Sequence, residues 1–124
     1  MIILVVGSVP TADTLSRLGV PCICIPATID NDVWGTDYTL GFDSGVQYIL
    51  GIMAAIHETA LALPGRVFLV ETLGANTGHI ALAAGLAAAA NLILLPEVHP
   101  TPSEAAMHVQ GLLNRGEEAL VIVA

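Results

Sequence analysis

The amino-acid sequence predicts an α/β fold, with a mostly parallel sheet covered by helices on both faces. Short apolar runs such as "IILVV" and "ALVIVA" alternate with segments whose apolar residues recur at helical spacing. The runs are apolar almost throughout, which is typical of parallel strands buried on both faces. The length of 124 residues predicts a single domain, residues 1–124.

The first two strands are predicted at 2–6 and 21–25, with a helix at 11–19 between them. Gly19 is placed to end that helix, because glycine readily adopts the left-handed conformation that follows many helices. A long helix is predicted from about 41 to 63, where Pro64 and Gly65 break it. Its apolar face is formed by Val46, Ile49, Leu50, Met53 and Ile56.

The second half of the chain continues the alternation. The predicted elements are a strand at 66–71, a turn at 74–78, a small-residue helix at 79–90, a strand at 92–96, a helix from 102 to about 115 and a strand at 119–124. "TPSE" at 101–104 has the pattern of a capping box with proline at the first helical position. Gly116 is placed to end the last helix.

Composition and charge exclude several classes of function. The formal net charge is −8, there is no lysine, and the three arginines are Arg17, Arg66 and Arg115. This balance argues against binding of nucleic acids or anionic membranes. Hydrophobic residues make up 55% of the chain, so burial in an oligomer or against a further neighbour is expected. Cys22 and Cys24 are expected to be reduced core thiols of a cytoplasmic protein.

The polar stretch "PATIDNDVWGTDYTLGFDSG" at 26–45 follows the second strand and contains four aspartates. Asp30 and Asp32 lie two residues apart, so they could hold a divalent metal ion or supply a general base, with the Thr28 hydroxyl beside them. An Asx turn in which Asn31 and the aspartate side chains cap nearby backbone amides is an alternative. A phosphatase in which Asp30 is the nucleophile is another. Trp34 and Tyr38 are expected to pack against the loop.

Polar residues follow three of the predicted strands. They lie in "PATIDND", "ETLGANTG" and "PEVHP". Ligands of open parallel sheets bind beyond the carboxyl ends of the strands, so these three segments are expected to meet there.

Two blocks of the sequence resemble the 6-phosphofructokinase family. "PATIDNDVWGTDYTLGFDSG" is similar to that family's central signature, P-[GK]-T-I-D-N-D followed by G-T-D-[YF]-T-[IL]-G-F-D. "RVFLVETLGANTGHIALAAGLA" is similar to its next block, and the order continues to "ALVIVA". The resemblance therefore covers nearly the whole chain and implies the Rossmann-like, phosphofructokinase-type version of the α/β fold.

The resemblance implies a reaction and the residues that perform it. The family transfers the γ-phosphoryl group of ATP to the 1-hydroxyl of fructose 6-phosphate in glycolysis, with Mg²⁺. Asp30 matches the general base, and Asp32 matches a residue that binds Mg²⁺ and substrate. Further substrate contacts are implied for Thr28 and Gly74, and for Arg66, which matches a residue that reaches across a subunit interface. A homodimer or homotetramer is therefore expected.

The nucleotide side departs from the family pattern. After the first strand only Gly7 and Ser8 match a glycine turn that would hold ATP, and the aspartate of that turn is missing. Ala75 stands where the second block has arginine. Ala27, small and uncharged, favours ATP over pyrophosphate as the donor, because pyrophosphate users resemble each other in having lysine there.

The matching segment resembles the middle of a phosphofructokinase. It would span the end of the nucleotide-side half and much of the sugar-side half. The 124 residues alone are expected to be inactive, although the family is enzymatic. The alternative hypothesis is a non-catalytic phosphofructokinase-like subunit or sugar-phosphate-binding module.

Overall fold

The computed structural model describes residues 2–74 and 76–124. In this part of the chain, strands and helices alternate as predicted, except that two short strands that were not predicted, Ala27–Thr28 and Leu40–Gly41, lie between the second predicted strand and the next helix. The elements are β1 (Ile3–Val6), α1 (Val9–Arg17), β2 (Cys22–Ile25), β3 (Ala27–Thr28), β4 (Leu40–Gly41), α2 (Phe42–Ala62), β5 (Val67–Glu71), α3 (His79–Ala87), β6 (Leu92–Leu94), a 3₁₀ turn (Pro96–Val98), α4 (Pro102–Asn114) and β7 (Ala119–Val123).

The strand pairs are parallel, which confirms the predicted α/β class. They form three ladders, β1–β2, β3–β4 and β5–β7–β6, where one sheet was expected. Pro26 separates β2 from β3, and a proline has no N–H to donate to a ladder. The chain therefore leaves the first ladder at Pro26 and forms the two-residue pairing of β3 with β4.

The core lies between the β5–β7–β6 sheet and helices α2 and α3. Met53 of α2 and Ile122 of β7 are fully buried, and Ile80 of α3 is nearly so. Successive strand residues face opposite sides of a sheet, so Ala119 and Val121 face away from this cluster. They are also buried, and α4 contacts β6 and β7, so helices cover both faces of the central strand.

Three predicted ends at α1 and α4 follow their local signals, and a fourth predicted end does not. Gly19 and Gly116 follow α1 and α4 with φ of 75° and 73°. The Thr101 hydroxyl accepts from the Glu104 amide at 3.2 Å and the Glu104 carboxylate accepts from the Thr101 amide at 2.9 Å, which completes the capping box. The fourth, α3, ends at Ala87 instead of near 90, because Ala89 adopts a φ of 53°.

Two apolar strand faces have no cover within the described residues. Leu4 and Val6 of β1 are 59% and 55% exposed, and Leu69 of β5 is 65% exposed. The adjacent residues of the same strands, Val5 of β1 and Val70 of β5, point to the opposite side, where α1 and α2 lie. This agrees with the expectation that the apolar fraction exceeds what one small core can bury. None of the helices in residues 2–74 and 76–124 has both the length and the apolarity needed to cross a bilayer.

Candidate active site

The predicted motif forms the loop that joins β3 to β4. Thr28 ends β3, and its hydroxyl accepts a hydrogen bond from the Asp30 amide at 3.2 Å. Thr39 precedes β4 and is buried, and its hydroxyl donates to the Thr28 carbonyl oxygen at 2.7 Å. The two ends of the loop are therefore joined directly beside Asp30.

Asn31 stabilises the loop from inside. Its side-chain oxygen accepts from the Thr39 amide at 2.9 Å, and its side-chain amide donates to the Asp37 carbonyl oxygen at 3.1 Å. Its backbone has a φ of 55°, a left-handed conformation that asparagine tolerates better than most residues. These bonds span eight and six residues, so they tie the loop together and are not the Asx turn expected as an alternative, in which a side chain accepts from the amide two residues on.

The segment before α3 holds the outer side of this loop. The Thr77 hydroxyl shares its one proton between the Asp30 carbonyl oxygen at 3.4 Å and the Gly74 carbonyl oxygen at 3.1 Å, and Nδ1 of His79 lies 2.8 Å from the Asn31 carbonyl oxygen. A carbonyl oxygen only accepts, so Nδ1 of His79 carries the proton of this bond. The "TIDND" and "NTGH" segments therefore meet, as predicted from their places at strand ends.

Gly74 starts the tight turn that brings Thr77 to the loop. Its carbonyl oxygen accepts from the Thr77 amide at 2.9 Å and from the Thr77 hydroxyl at 3.1 Å. A Cβ at position 74 would lie 2.3 Å from the Thr77 carbonyl oxygen, so only glycine fits. The tight turn therefore explains why residue 74 is glycine. The predicted substrate contact of Gly74 stays a prediction. Ala75, which stands where the resemblance expects arginine, lies outside the described residues.

Glu97 brings the third predicted segment to the same edge. Its carboxylate accepts from the Gly78 amide at 2.7 Å, just before α3 begins. This hydrogen bond is the main reason that the pKa of Glu97 lies below its usual value, and the nearby His79 and His99 contribute less. The carboxylate occupies the amino end of α3, where an anionic ligand would otherwise find a free amide.

Gly7 and Ser8, the predicted nucleotide-side residues, follow β1 close to the start of the motif. The Gly7 amide donates to the Ile25 carbonyl oxygen at 3.0 Å. Gly7 has a φ of 80°, and a Cβ there would approach the Ala27 carbonyl oxygen to 3.2 Å. The Ser8 hydroxyl is hydrogen-bonded to the Thr11 hydroxyl at 2.6 Å instead of capping α1.

Arg66 lies at the amino-terminal end of β5, whereas the motif loop lies beyond the carboxyl ends of the strands. Arg66 precedes β5, and Thr72 follows this five-residue strand, so the two are separated by roughly 20 Å at about 3.3 Å per residue. Arg17 is the last residue of α1 and Arg115 directly follows α4, so both also lie where the strands begin, and each is paired with a nearby carboxylate, Arg17 with Asp13 and Arg115 with Glu117. The chain therefore places all of its arginines away from Asp30.

Comparison with known proteins decides the family. The sequence profile described as Phosphofructokinase matches residues 3–124. The chain belongs to the phosphofructokinase family. It is 43% identical over 117 residues to the ATP-dependent 6-phosphofructokinase of Clostridioides difficile, a match that covers 94% of this chain and 36% of that protein. It is 40% identical over 111 residues to the pyrophosphate--fructose 6-phosphate 1-phosphotransferase of Dictyoglomus thermophilum, covering 90% and 32%.

Solved phosphofructokinase structures share the fold. The T-state phosphofructokinase of Pichia pastoris superposes with a TM-score of 0.81 at 25% identity and covers 98% of this chain and 14% of that one. The pyrophosphate-dependent phosphofructokinase of Marinobacter aquaeolei gives a TM-score of 0.70 at 32% identity, covering 93% and 32%. The chain spans about a third of the length of the curated phosphofructokinases it matches.

The carboxylates of the phosphofructokinase motif fit Mg²⁺ better than a metal held by protein ligands alone. Asp30 is half-buried and Asp32 is exposed. Across residues 2–74 and 76–124, no three His, Cys, Asp or Glu side chains are grouped as a metal site. Mg²⁺ is commonly held by one or two carboxylates together with substrate phosphates and water. The donor set therefore suits Mg²⁺ that arrives with a phosphorylated substrate.

Two of the three side chains that shape this phosphofructokinase loop were not singled out from the sequence, and the third, Asn31, was expected only as part of an Asx turn. Asn31, Thr39 and Thr77 lie inside or beside the quoted motifs, but their roles depend on contacts between distant residues. The Thr77 contact with Asp30, for example, joins residues 47 apart in the chain. The signal available in the sequence was the density of hydroxyl and amide side chains around the two aspartates.

Proposed function

We propose that the protein containing this chain transfers the γ-phosphoryl group of ATP to the 1-hydroxyl of fructose 6-phosphate. The observation that carries the proposal is the loop that presents Asp30 and Asp32 at the carboxyl edge, held there by Thr77 and His79. Family membership supports this reaction over a non-catalytic sugar-phosphate-binding module.

In the proposed reaction the Asp30 carboxylate accepts the proton of the sugar 1-hydroxyl. The hydroxyl oxygen then bonds to the γ-phosphorus as the bond to the bridging β–γ oxygen breaks and ADP leaves. A single base of this kind contributes about 10²–10⁴-fold to the rate. Asp30 lies in a loop fixed by side-chain hydrogen bonds, which supports its role because phosphoryl transfer depends on positioning.

The neighbouring residues would bind the substrates. Asp32 would hold Mg²⁺, which supplies charge neutralisation at the transferring phosphoryl group. The Thr28 hydroxyl accepts from the Asp30 amide, so its own proton remains available to a substrate oxygen. Gly74 would contact substrate through its backbone. Gly7 and Ser8 would face the nucleotide, since they follow β1 next to Ala27.

ATP is proposed as the donor on the identity of residue 27. Ala27 has no charge to offer a pyrophosphate. Both donors occur among relatives of similar identity, at 43% for an ATP-dependent enzyme and 40% for a pyrophosphate-dependent one. Comparison of the two donors in one coupled assay tests this part separately.

A homodimer or homotetramer is proposed on the distribution of charge and apolar surface. Phosphoryl transfer requires cations around the phosphates, and the arginines of this chain lie at the opposite edge of the strands. Arg66 of one subunit would therefore serve the site of another. The uncovered Leu69 on β5 supports an interface near Arg66. By the same argument, a single copy of the 124 residues is expected to be inactive. A cytoplasmic location also remains a proposal.

The experiment is an Asp30→Asn variant of the full-length protein in a coupled fructose 6-phosphate kinase assay. We expect kcat to fall by about 10²–10⁴-fold, because the base is lost while the size of the side chain is kept. Asp37→Asn is the matched control, since Asp37 lies in the same loop with an exposed side chain and the charge change is identical. A wild-type rate in Asp30→Asn would contradict the assignment of the base.

A further inference from the structure

The pairing of β3 with β4 is too short to hold the motif loop in place by itself. Two residues of each strand pair, Ala27 with Leu40 and Thr28 with Gly41. Two-stranded ribbons are marginal in water even when they are longer. Eleven residues, 29–39, lie between these strands and include Asp30 and Asp32. Their geometry must therefore be fixed by contacts other than the ladder.

Thr39 and Asn31 make those contacts. Thr39 is the one buried polar residue within the described residues, with 5% of its surface exposed. Its hydroxyl donates to the Thr28 carbonyl oxygen at 2.7 Å and lies 3.3 Å from the side-chain oxygen of Asn31. That oxygen also accepts from the Thr39 amide at 2.9 Å. The network thus links the residue two before Asp30 with the residue directly after it.

We propose that Asn31 and Thr39 are positioning residues that fix the Asp30 carboxylate for proton abstraction. Neither side chain needs to touch substrate for this role, because both act on the backbone on either side of Asp30. The inference rests on the proposed phosphoryl transfer. It adds that the side-chain amide of Asn31 and the buried hydroxyl of Thr39 raise kcat by holding the Asp30 carboxylate in place.

Two substitutions at Thr39 separate the hydroxyl from the shape of the side chain. Thr39→Val keeps the branched shape and removes the hydroxyl, whereas Thr39→Ser keeps the hydroxyl. In the full-length protein we expect Thr39→Val to lower kcat by about 10–100-fold, as for displacement of a reacting group by up to about 1 Å. KM for fructose 6-phosphate should change by less than about 3-fold, and Thr39→Ser should retain most of kcat, because geometry and not affinity is altered.

Asn31→Gly provides a second variant that should fold. Glycine adopts a φ of 55° without strain, so the substitution removes the amide side chain without forcing the backbone to change. We expect the same loss in kcat at nearly constant KM. Rates are normalised to the folded fraction. Equal kcat in Thr39→Val and Thr39→Ser, or a wild-type kcat in Asn31→Gly, would overturn the proposal.

Hydrogen exchange separates this proposal from the proposed function. Peptides covering 28–41 of the full-length protein should exchange at least about 10-fold faster in Thr39→Val, while peptides covering α3 stay unchanged. If the wild type shows no turnover with fructose 6-phosphate, the proposed function fails, and the exchange result still decides whether the network fixes the loop. Unchanged exchange in 28–41 would overturn the positioning role on its own.

Discussion

Nδ1 of His79 lies 2.8 Å from the carbonyl oxygen of Asn31, a contact that joins residues 48 positions apart. His79 is the first residue of α3, and Asn31 separates the two aspartates of the motif. The motif loop is therefore attached to a helix that packs into the core through Ile80. This attachment holds an otherwise exposed loop against a helix of the core.

Replacing His79 by alanine should loosen the loop and lower the free energy of unfolding by about 1 kcal/mol, the typical net value of one hydrogen bond. Denaturant titration of the purified protein measures this. His108→Ala on α4 is the matched control, because the side chain of His108 is exposed and makes no hydrogen bond within the described residues. That control should stay within about 0.5 kcal/mol of the wild type. Equal effects of the two substitutions would contradict the role of the His79 contact.

Glu97 should make the stability depend on pH. Its pKa is lowered in the folded protein, chiefly by the hydrogen bond from the Gly78 amide. The folded state therefore binds this proton less readily than the unfolded state, in which the pKa is about 4.3. The stabilisation is complete above the unfolded pKa and is lost as the pH falls through the lower folded value.

The Glu97→Gln variant tests this sign. It should be less stable than the wild type at pH 7, and the difference should shrink as the pH falls below about 4. Glu58→Gln removes the same charge from an exposed position on α2 and serves as the control. Denaturant midpoints at several pH values supply the measurement. A Glu97→Gln difference that stays constant down to pH 3 would show that the carboxylate does not hold the amide.

Two helical glycines should respond in opposite directions to the same substitution. Gly85 of α3 faces the sheet, and a Cβ there would lie 2.7 Å from Cγ2 of Ile122 and 2.8 Å from Cδ1 of Ile93. Gly51 of α2 has no neighbouring atom within 4 Å of such a Cβ. Gly51→Ala should stabilise the protein by up to about 1 kcal/mol through helix propensity.

Gly85→Ala should instead destabilise by about 1–3 kcal/mol, because the added methyl group overfills a packed helix–sheet contact. Thermal unfolding of the two variants side by side gives the comparison. Stabilisation by Gly85→Ala would mean that α3 lies farther from β6 and β7 than the structure places it.

The order of the elements can be predicted from the sequence, because local signals mark where most of the helices and strands begin or end. The capping box at Thr101 and the glycines after α1 and α4 act within one turn of chain, so they can be recognised without tertiary information. The end of α3 could not be predicted in this way. Alanine is the strongest helix former, and nothing local indicates that Ala89 leaves the helix with a φ of 53°.

The candidate site could be predicted only in part, because its geometry depends on contacts between residues far apart in the chain. Asp30 and Asp32 are conspicuous in sequence, but the strands that flank them have two residues each and no periodicity. The expected packing of Trp34 and Tyr38 against the loop was wrong for Trp34, which is 98% exposed. Tyr38 contacts Phe42 with ring centroids 5.9 Å apart, although most of its surface remains exposed. Whether an aromatic side chain in a polar loop is covered depends on long-range contacts that local patterns do not encode.

The last prediction concerns the distance between Arg66 and Asp30. The five residues of β5 separate Arg66 from the end of the strands that carries the motif, so Arg66 and Asp30 of one chain lie at opposite ends of the strands. If a second subunit supplies Arg66, two inactive variants should complement each other. Asp30→Asn and Arg66→Ala would be mixed in equal amounts, dissociated and reassembled.

Random reassembly places an intact Asp30 and an intact Arg66 in about a quarter of the sites, because each is contributed independently with a probability of about one half. At a low concentration of fructose 6-phosphate, the mixture should therefore reach about a quarter of wild-type activity, well above either variant alone. Mixing Asp30→Asn with Asp32→Asn is the control and should restore nothing, since both changes lie in the same loop. Activity equal to the mean of the two parent variants would show that Arg66 does not act across an interface.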